Sequence, residues 1–281
     1  MLEIIHHTIL HSLELLPFLF FAFLIIELIE HKFSKQVEKA IEKSGKFGPL
    51  IGSIFGLFPQ CGFSVMATNL YVTRIITLGT LIAIYLTTSD EMLPLMLSHN
   101  VPLNKILIIL GIKFIVGIIF GFLIDFVLRK KNKKIKPNYD ICKKENCHCE
   151  KGILYSTIKH TLNIFLFIFV CTLGLNILIN YLGKENISKI FLKNSIFAPL
   201  LSSLIGLIPN CGASVIITEL YLNEVISLGT LISGLLTGSG VALLVLFKQN
   251  KNMKENFTIL SLIYFIGSFV GILFELFKIT I

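Results

Sequence analysis

Long apolar runs alternate with short polar stretches along this chain. A helix needs about 20 mostly apolar residues to cross a bilayer, so each uninterrupted run of roughly that length predicts a membrane span. Six such runs are present: 13–29, 75–97, 103–128, 161–181, 226–247 and 257–277. The pattern predicts an all-α polytopic membrane protein embedded in the lipid bilayer.

Two further apolar runs, 47–72 and 196–222, are interrupted near the middle. The interruptions read Pro59-Gln60-Cys61-Gly62 and Pro209-Asn210-Cys211-Gly212. Proline removes a backbone donor and glycine tolerates left-handed dihedrals, so helix breaks are expected at these prolines and glycines. Each run then forms two half-helices, either as a re-entrant hairpin or as a helix unwound at its middle. Two kinked helices packed through small residues are the alternative.

The interrupted runs are copies of each other. Residues 47–97 match residues 197–247 without a gap, at an offset of 150 residues, and roughly half of the positions are identical. Identity of that extent indicates an internal duplication. Paired interruptions in two homologous halves are the best sequence pointer to the binding site of a secondary transporter.

The duplication divides the chain into a first membrane repeat (1–128), a basic linker (129–159) and a second membrane repeat (160–281). If each interrupted run adds no net crossing or two crossings, each repeat crosses an odd number of times, and the repeats have inverted topology. A single crossing would make the repeats parallel. Lysines in 31–46, in the linker and in 248–254 favour the inverted arrangement with those stretches in the cytoplasm and 98–104 outside; the basic connector 184–193 fits poorly.

Composition agrees with a membrane protein and narrows its function. The chain is 54% hydrophobic and 15% charged, whereas soluble domains carry about 25% charged residues. Its net charge of +8 comes from lysines and arginines between the spans, which predicts orientation in the membrane and no nucleic-acid partner. Nucleotide-binding motifs are missing from the sequence, so we expect transport that is secondary or depends on a partner. We expect no enzyme activity and no cofactor.

Candidate substrate or ion ligands fall into two groups. Acids inside apolar runs are costly and therefore functional candidates, although water-filled interfaces could also hold them. These acids are Glu27, Asp90 and Glu219. The second group consists of Gln60, Cys61, Asn69, Asn210 and Cys211. Thiolates suit soft metals or arsenite and amide oxygens suit manganese or magnesium, so both chemistries stay open. The cysteines could also be plain small apolar residues.

Two other features remain. The linker holds Cys142, Cys147, His148 and Cys149, an accessory metal site by ligand type, although its spacing is not that of a standard zinc finger. Lys113 lies inside the apolar run 103–128 and is expected to line a pore or to pair with Asp90 or Asp125.

The doubled Gly-Leu-Phe/Ile-Pro-Gln/Asn-Cys-Gly-x-Ser-Val, with Leu-Gly-Thr-Leu-Ile downstream and Glu27-Leu-Ile-Glu30 ending the first span, resembles a ten-helix heavy-metal exporter family. Its members are labelled arsenic efflux proteins or manganese transporters. The resemblance covers nearly the whole chain apart from the linker. It implies a multi-pass protein of the cell (inner) membrane that exports a metal or metalloid ion, with a homo-oligomer possible. A lipid-carrier flippase or an intramembrane enzyme with the same cavity is the rival interpretation.

Overall fold

The computed structural model describes residues 45–58, 61–88, 92–128, 195–209 and 212–279, together with five single positions elsewhere. We call residues 45–128 the N-terminal stretch and residues 195–279 the C-terminal stretch. The described part is all-helical, with a 3₁₀ turn at Gly45–Phe47 and no strand. Its helices are α1 (Gly48–Gly56), α2 (Cys61–Val72), α3 (Leu78–Thr87), α4 (Met92–Ser98), α5 (Leu103–Leu128), α6 (Ala198–Gly206), α7 (Gly212–Leu222), α8 (Leu228–Thr237), α9 (Ala242–Gln249) and α10 (Met253–Leu276).

Helices α3 and α8 are the central elements. Residues 79–87 of α3 and all of α8 are buried. Helix α3 packs between α1 and α5, and α8 packs in the same way between α6 and α10. The two central helices also touch each other, so they join the N-terminal stretch to the C-terminal stretch.

Each central helix begins at a hydroxyl that caps it. Thr77 accepts a hydrogen bond from the backbone N–H of Thr80 at 3.2 Å, and Ser227 accepts one from Thr230 at 3.2 Å. Such a cap satisfies one of the amide groups that the first turn leaves without a partner.

The same caps bind the far ends of the long helices. Thr77 donates to the Asp125 carboxylate at 2.6 Å, near the end of α5. Ser227 donates to the carboxylate of Glu275, near the end of α10. The start of each central helix is thereby fastened to the end of the following long helix.

Two predicted spans are interrupted in the structure. The pattern predicted continuous helices over 75–97 and 226–247, but α3 ends at Thr87 and α8 ends at Thr237, and the next helices begin at Met92 and Ala242. Thr88 has non-helical backbone angles (φ −54°, ψ 126°), and Gly240 has a left-handed φ of 56°. The apolar pattern resumes after the short polar stretches 87–91 and 237–240, so hydropathy alone joins the helices on either side into one span.

The long helices α5 and α10 run in opposite directions. Arg74, in the α2–α3 connection beside Thr77, forms a two-pronged ion pair with Glu255 in the first turn of α10, at 2.5 and 2.7 Å. This hydrogen bonding raises the pKa of Arg74 above its ordinary value. The start of α10 therefore lies at the same end of the molecule as Asp125, near the end of α5.

Three stretches are long and apolar enough to cross a membrane: Leu103–Leu128, Leu228–Gln249 and Met253–Leu276. The second comprises α8, its interruption and α9. At 1.5 Å per residue α5 is about 39 Å long, enough to span the hydrocarbon core with some tilt. Large apolar side chains on α5 and α10 are exposed, as expected for lipid-facing surfaces, among them Leu107, Ile115, Ile119, Phe265 and Phe269.

Candidate functional site

The interior polar region lies where α3 and α8 end. The last four carbonyls of any helix lack intrahelical partners, and the C-terminus carries partial negative charge. Thr87 and Thr237 close these helices, and both are fully buried. Two helix C-termini inside a membrane protein therefore present acceptors that something must satisfy.

Lys113 supplies donors at this point. Its side chain is 1% exposed, and its ammonium group donates to the backbone carbonyl of Thr88 and to that of Leu235 at 3.0 Å. Lys113 belongs to α5, whereas Leu235 is in the last turn of α8. A cation on α5 thus binds carbonyls at the C-termini of both central helices, which is electrostatically favourable.

The predicted pairing of Lys113 with Asp125 is wrong. Asp125 instead accepts hydrogen bonds from the Thr77 hydroxyl and from the backbone N–H of Gly79 at 2.9 Å. It lies twelve residues farther along α5, about 18 Å away along the helix axis. The other predicted partner, Asp90, lies outside the described residues.

The repeated motifs begin directly against these helix ends. A Cβ atom built on Gly56 would lie 2.0 Å from the hydroxyl oxygen of Thr87, and one built on Gly206 would lie 2.2 Å from that of Thr237. Real Cβ contacts are not this short, so each position needs a glycine. The first glycine of each copy of the motif therefore touches the last residue of a central helix.

Unpaired hydroxyls also lie in this region. The hydroxyl oxygens of Ser53 and Ser239 are fully buried and have no hydrogen-bond partner among the described residues. Ser53 lies on α1 one turn before Gly56, and Ser239 follows the end of α8. Buried polar groups nearly always have partners, so such hydroxyls are suited to meeting water or substrate.

A second polar site lies toward one end of the molecule, beside a cavity of about 1010 Å³. His99, at the end of α4, places its Nε2 atom 3.4 Å from Oε1 of Glu219 on α7. The Glu219 side chain is 4% exposed and that of His99 is 23% exposed. His99 lines the cavity together with four acidic or basic residues, namely Lys105, Glu224, Glu275 and Lys278. The imidazole of His99 thus lines the cavity and also contacts the buried carboxylate of Glu219.

The predicted site residues fall into three groups. Asn69 is 8% exposed on α2, and Glu219 is 3% exposed on α7. Gly62 and Gly212 lie at the starts of α2 and α7, and Pro209 follows the end of α6, so the described chain is helical on both sides of each predicted break. Outside the described residues lie Glu27, Pro59, Gln60, Asp90, Asn210, Cys211, Cys142, Cys147, His148 and Cys149, and for Cys61 the backbone alone is described.

The structure does not group these predicted residues into a single described site. Within the described ranges no three His, Cys, Asp or Glu side chains are close enough to hold a metal ion. Sequence reasoning missed His99, which it treated as part of an external loop. The offset of 150 residues pairs His99 with Gln249 and Glu219 with Asn69, and this matched polarity is the signal that could have identified it.

Comparison with known proteins gives one match. The profile of the family described as "Putative, 10TM heavy-metal exporter" matches residues 12–180 and, in a second segment, 163–280. No curated protein matches the chain, and no solved structure matches it either.

Proposed function

The chain belongs to this family of 10TM heavy-metal exporters, and we propose from that premise that it moves a metal or metalloid ion out of the cell by secondary transport. It is a multi-pass membrane protein. The substrate would bind between two inverted repeats, near the paired Pro-x-Cys-Gly breaks. Gln60, Cys61, Asn69, Asn210 and Cys211 would contact it, and Glu27, Asp90 and Glu219 would bind the cation or carry exchanged protons.

The directions of the long helices support inverted repeats. Helices α5 and α10 correspond through the offset of 150 residues, yet they run in opposite directions. Packing between the stretches is reciprocal as well, since α2 packs on α9 and α7 packs on α4. A two-fold axis in the membrane plane would produce both features.

The observation that most directly supports this proposal is that both central helices end in the interior, beside the motif glycines. Discontinuous helices whose ends meet at mid-membrane form the ion sites of many secondary transporters. Here Gly56 lies against Thr87, Gly206 lies against Thr237, and Lys113 binds carbonyls at both helix ends. A substrate cation entering this region would compete with the Lys113 ammonium for the same carbonyls.

Opposite charges at matched positions support alternating access. Arg74 and Glu255 pair at one end of the molecule, and the offset of 150 residues relates them to Glu224 and Lys105, whose charges are exchanged. Glu224 and Lys105 both line the cavity at the other end. Matched charges at the two ends would let either end close through a similar contact, as expected of a transporter that opens one side at a time.

Backbone strain at the two matched turns also indicates a functional role for the charged residues there. Arg74 and Glu224 both have left-handed backbones, with φ of 65° and 58°. Glycine would adopt this conformation without strain, whereas other residues pay a steric cost there. Charged residues kept at both strained positions favour a role for their side chains.

Transport by inside-out membrane vesicles tests the proposal. We expect vesicles containing the protein to accumulate Mn²⁺, Zn²⁺ or arsenite, and we expect Cys61→Ser and Cys211→Ser to reduce this at least tenfold for a soft substrate. Cys171→Ser changes a cysteine outside the repeated motif and serves as the matched control. Absence of accumulation for all three ions, with correctly folded protein, would refute export and favour the flippase or intramembrane-enzyme interpretation.

A further inference from the structure

We propose that His99, which lines the cavity, and Glu219, which His99 contacts, form a two-ligand station for a divalent first-row transition-metal ion. The inference rests on the proposed export function and deepens it by naming a transit site and the class of substrate that this site accepts.

The separation of the two ligand atoms fits a bound metal ion. Nε2 of His99 and Oε1 of Glu219 are 3.4 Å apart, which is longer than a good charge-assisted hydrogen bond. Two ligand atoms at about 2.0–2.2 Å from one tetrahedral ion lie about 3.3–3.6 Å apart. The pair is therefore already spaced as one edge of a tetrahedral coordination shell.

The second carboxylate oxygen of Glu219, Oε2, lies near the side-chain amide of Asn223. Asn223, one turn later on α7, places its side-chain amide 3.5 Å from Oε2 and donates to the backbone carbonyl of Glu219 at 2.9 Å. Partners of this kind orient a metal-binding carboxylate. Oε1 is the atom nearest the imidazole, so the carboxylate is oriented toward His99 and not away from it.

The exposure of His99 to the cavity and the small number of protein ligands are suited to a site that binds an ion only transiently. His99 lines the cavity, so a hydrated ion could reach the imidazole directly. Two protein ligands leave the other coordination positions to water, and binding stays weak enough for release. The neighbouring cavity charges are mixed, with Glu224 and Glu275 opposed by Lys105 and Lys278, so no excess of acid traps the ion.

The ligands come from opposite halves of the duplication. His99 directly follows α4 in the N-terminal stretch and Glu219 belongs to α7 in the C-terminal stretch, and these two helices pack against each other. Movement of one half against the other would change the distance between the two ligand atoms. The station would then bind its ion in one arrangement of the halves and release it in the other.

The donor set selects the substrate class. Imidazole nitrogen suits zinc, copper, iron and nickel, and carboxylate oxygen suits manganese, so the mixed pair accepts a divalent transition-metal ion. Arsenite is a thiophile and finds no sulfur ligand in this pair. The matched positions in the other half carry the amides Asn69 and Gln249, which are weaker ligands for such ions, so the station belongs to one end of the pathway.

Metal binding to the purified full-length protein tests the station. Mn²⁺ binding is followed by the EPR signal of the free ion, and Co²⁺ binding by its visible absorption, in which thiolate ligands give separate bands. We expect His99→Gln and Glu219→Gln each to weaken binding at least tenfold. The double variant should bind no more weakly than the worse single variant, because either change removes the same chelate.

Gln249→Ala, at the position matched to His99, is the control and should bind as the wild type does. Single variants that bind both ions within twofold of the wild type would overturn the station, as would losses that multiply in the double variant. Should Glu219→Gln fail to fold, as judged by circular dichroism, His99→Gln carries the test because His99 is partly exposed.

Vesicle transport separates this inference from the function it rests on. If the wild type transports metal while both variants bind it as the wild type does, the proposed metal site is refuted and the proposed export function is retained. If the station binds Mn²⁺ or Co²⁺ but no vesicle accumulates either ion, export fails and the binding site stands.

Discussion

Lys113 on α5 donates a hydrogen bond over 3.0 Å to the backbone carbonyl of Leu235 on α8, and so joins the N-terminal and C-terminal stretches inside the molecule. The same ammonium group binds the carbonyl of Thr88. The position 150 residues after Lys113 is Ile263, which carries no charge. This contact makes the polar centre of the molecule asymmetric, although the helices around it correspond in pairs.

Replacing Lys113 with methionine keeps the length of the side chain and removes the charge. We expect the free energy of unfolding to fall by about 2–4 kcal/mol, because two buried carbonyls lose their donor. The apparent Tm in detergent, followed by circular dichroism, should fall by about 5 °C or more. Lys254→Met, at an exposed position on α10, is the control and should change Tm little. An unchanged Tm for Lys113→Met would contradict the assigned contacts.

The Arg74–Glu255 ion pair should stabilise the contact between the α2–α3 connection and the start of α10. Glu255→Gln is expected to cost about 1–2 kcal/mol, a moderate value because Arg74 is 34% exposed and solvent screens part of the attraction. The charge-exchanged double variant Arg74→Glu with Glu255→Arg should recover part of the loss. Thermal unfolding of the wild type, Arg74→Glu, Glu255→Arg and the double variant at low and high salt gives the coupling energy, and additive losses in the double variant would argue against a direct pair.

Gly56 and Gly206 should not tolerate a methyl group. Gly56→Ala and Gly206→Ala each push a Cβ atom into a buried threonine, and we expect a loss of about 1–3 kcal/mol for each. Gly111→Ala is the matched control, because nothing lies within 4 Å of its Cβ position on α5, and it should be neutral or slightly stabilising. Urea or thermal unfolding compares the three variants. Equal stability of Gly56→Ala and Gly111→Ala would rule out the close approach to Thr87.

The caps of the central helices can be tested by removing one hydroxyl. Thr77→Val keeps the shape of the side chain but removes both its cap to Thr80 and its bond to Asp125, so we expect a loss of about 1–2 kcal/mol. Thr258→Val, where an exposed hydroxyl on α10 bonds the carbonyl of Lys254 at 2.8 Å, is the control. Circular dichroism melting should show a lower Tm for Thr77→Val alone; the same Tm for both variants would exclude a structural role for the cap.

Much of the architecture could be predicted from local pattern. The apolar run 103–128 predicted α5 with its observed bounds, because a long apolar run without proline or glycine pairs specifies a helix directly. The ends of α3 at Thr87 and of α8 at Thr237 were not predicted in this way. Thr88 and Gly238 leave the helical conformation, and the partners of the freed carbonyls, such as Lys113 for Leu235, lie far away in the chain.

The candidate site shows the same division. Glu219 was predicted from its charge inside an apolar run, since the cost of burying an acid is a local property. Its partner His99 is 120 residues away, and no local rule connects the two. The sequence shows that charges are exchanged at matched positions, with Arg74 and Glu255 corresponding to Glu224 and Lys105. Only the structure shows that Arg74 and Glu255 form an ion pair.

By itself, the sequence determined that this protein is a helical membrane protein in which the Pro-x-Cys-Gly motif occurs twice, because hydropathy is a property of residues that are neighbours in the chain. The tertiary structure alone decided which distant groups meet: Lys113 with the ends of α3 and α8, Arg74 with Glu255, and His99 with Glu219. Buried hydrogen bonds and ion pairs need partners at close range, and folding, not sequence position, brings such partners together.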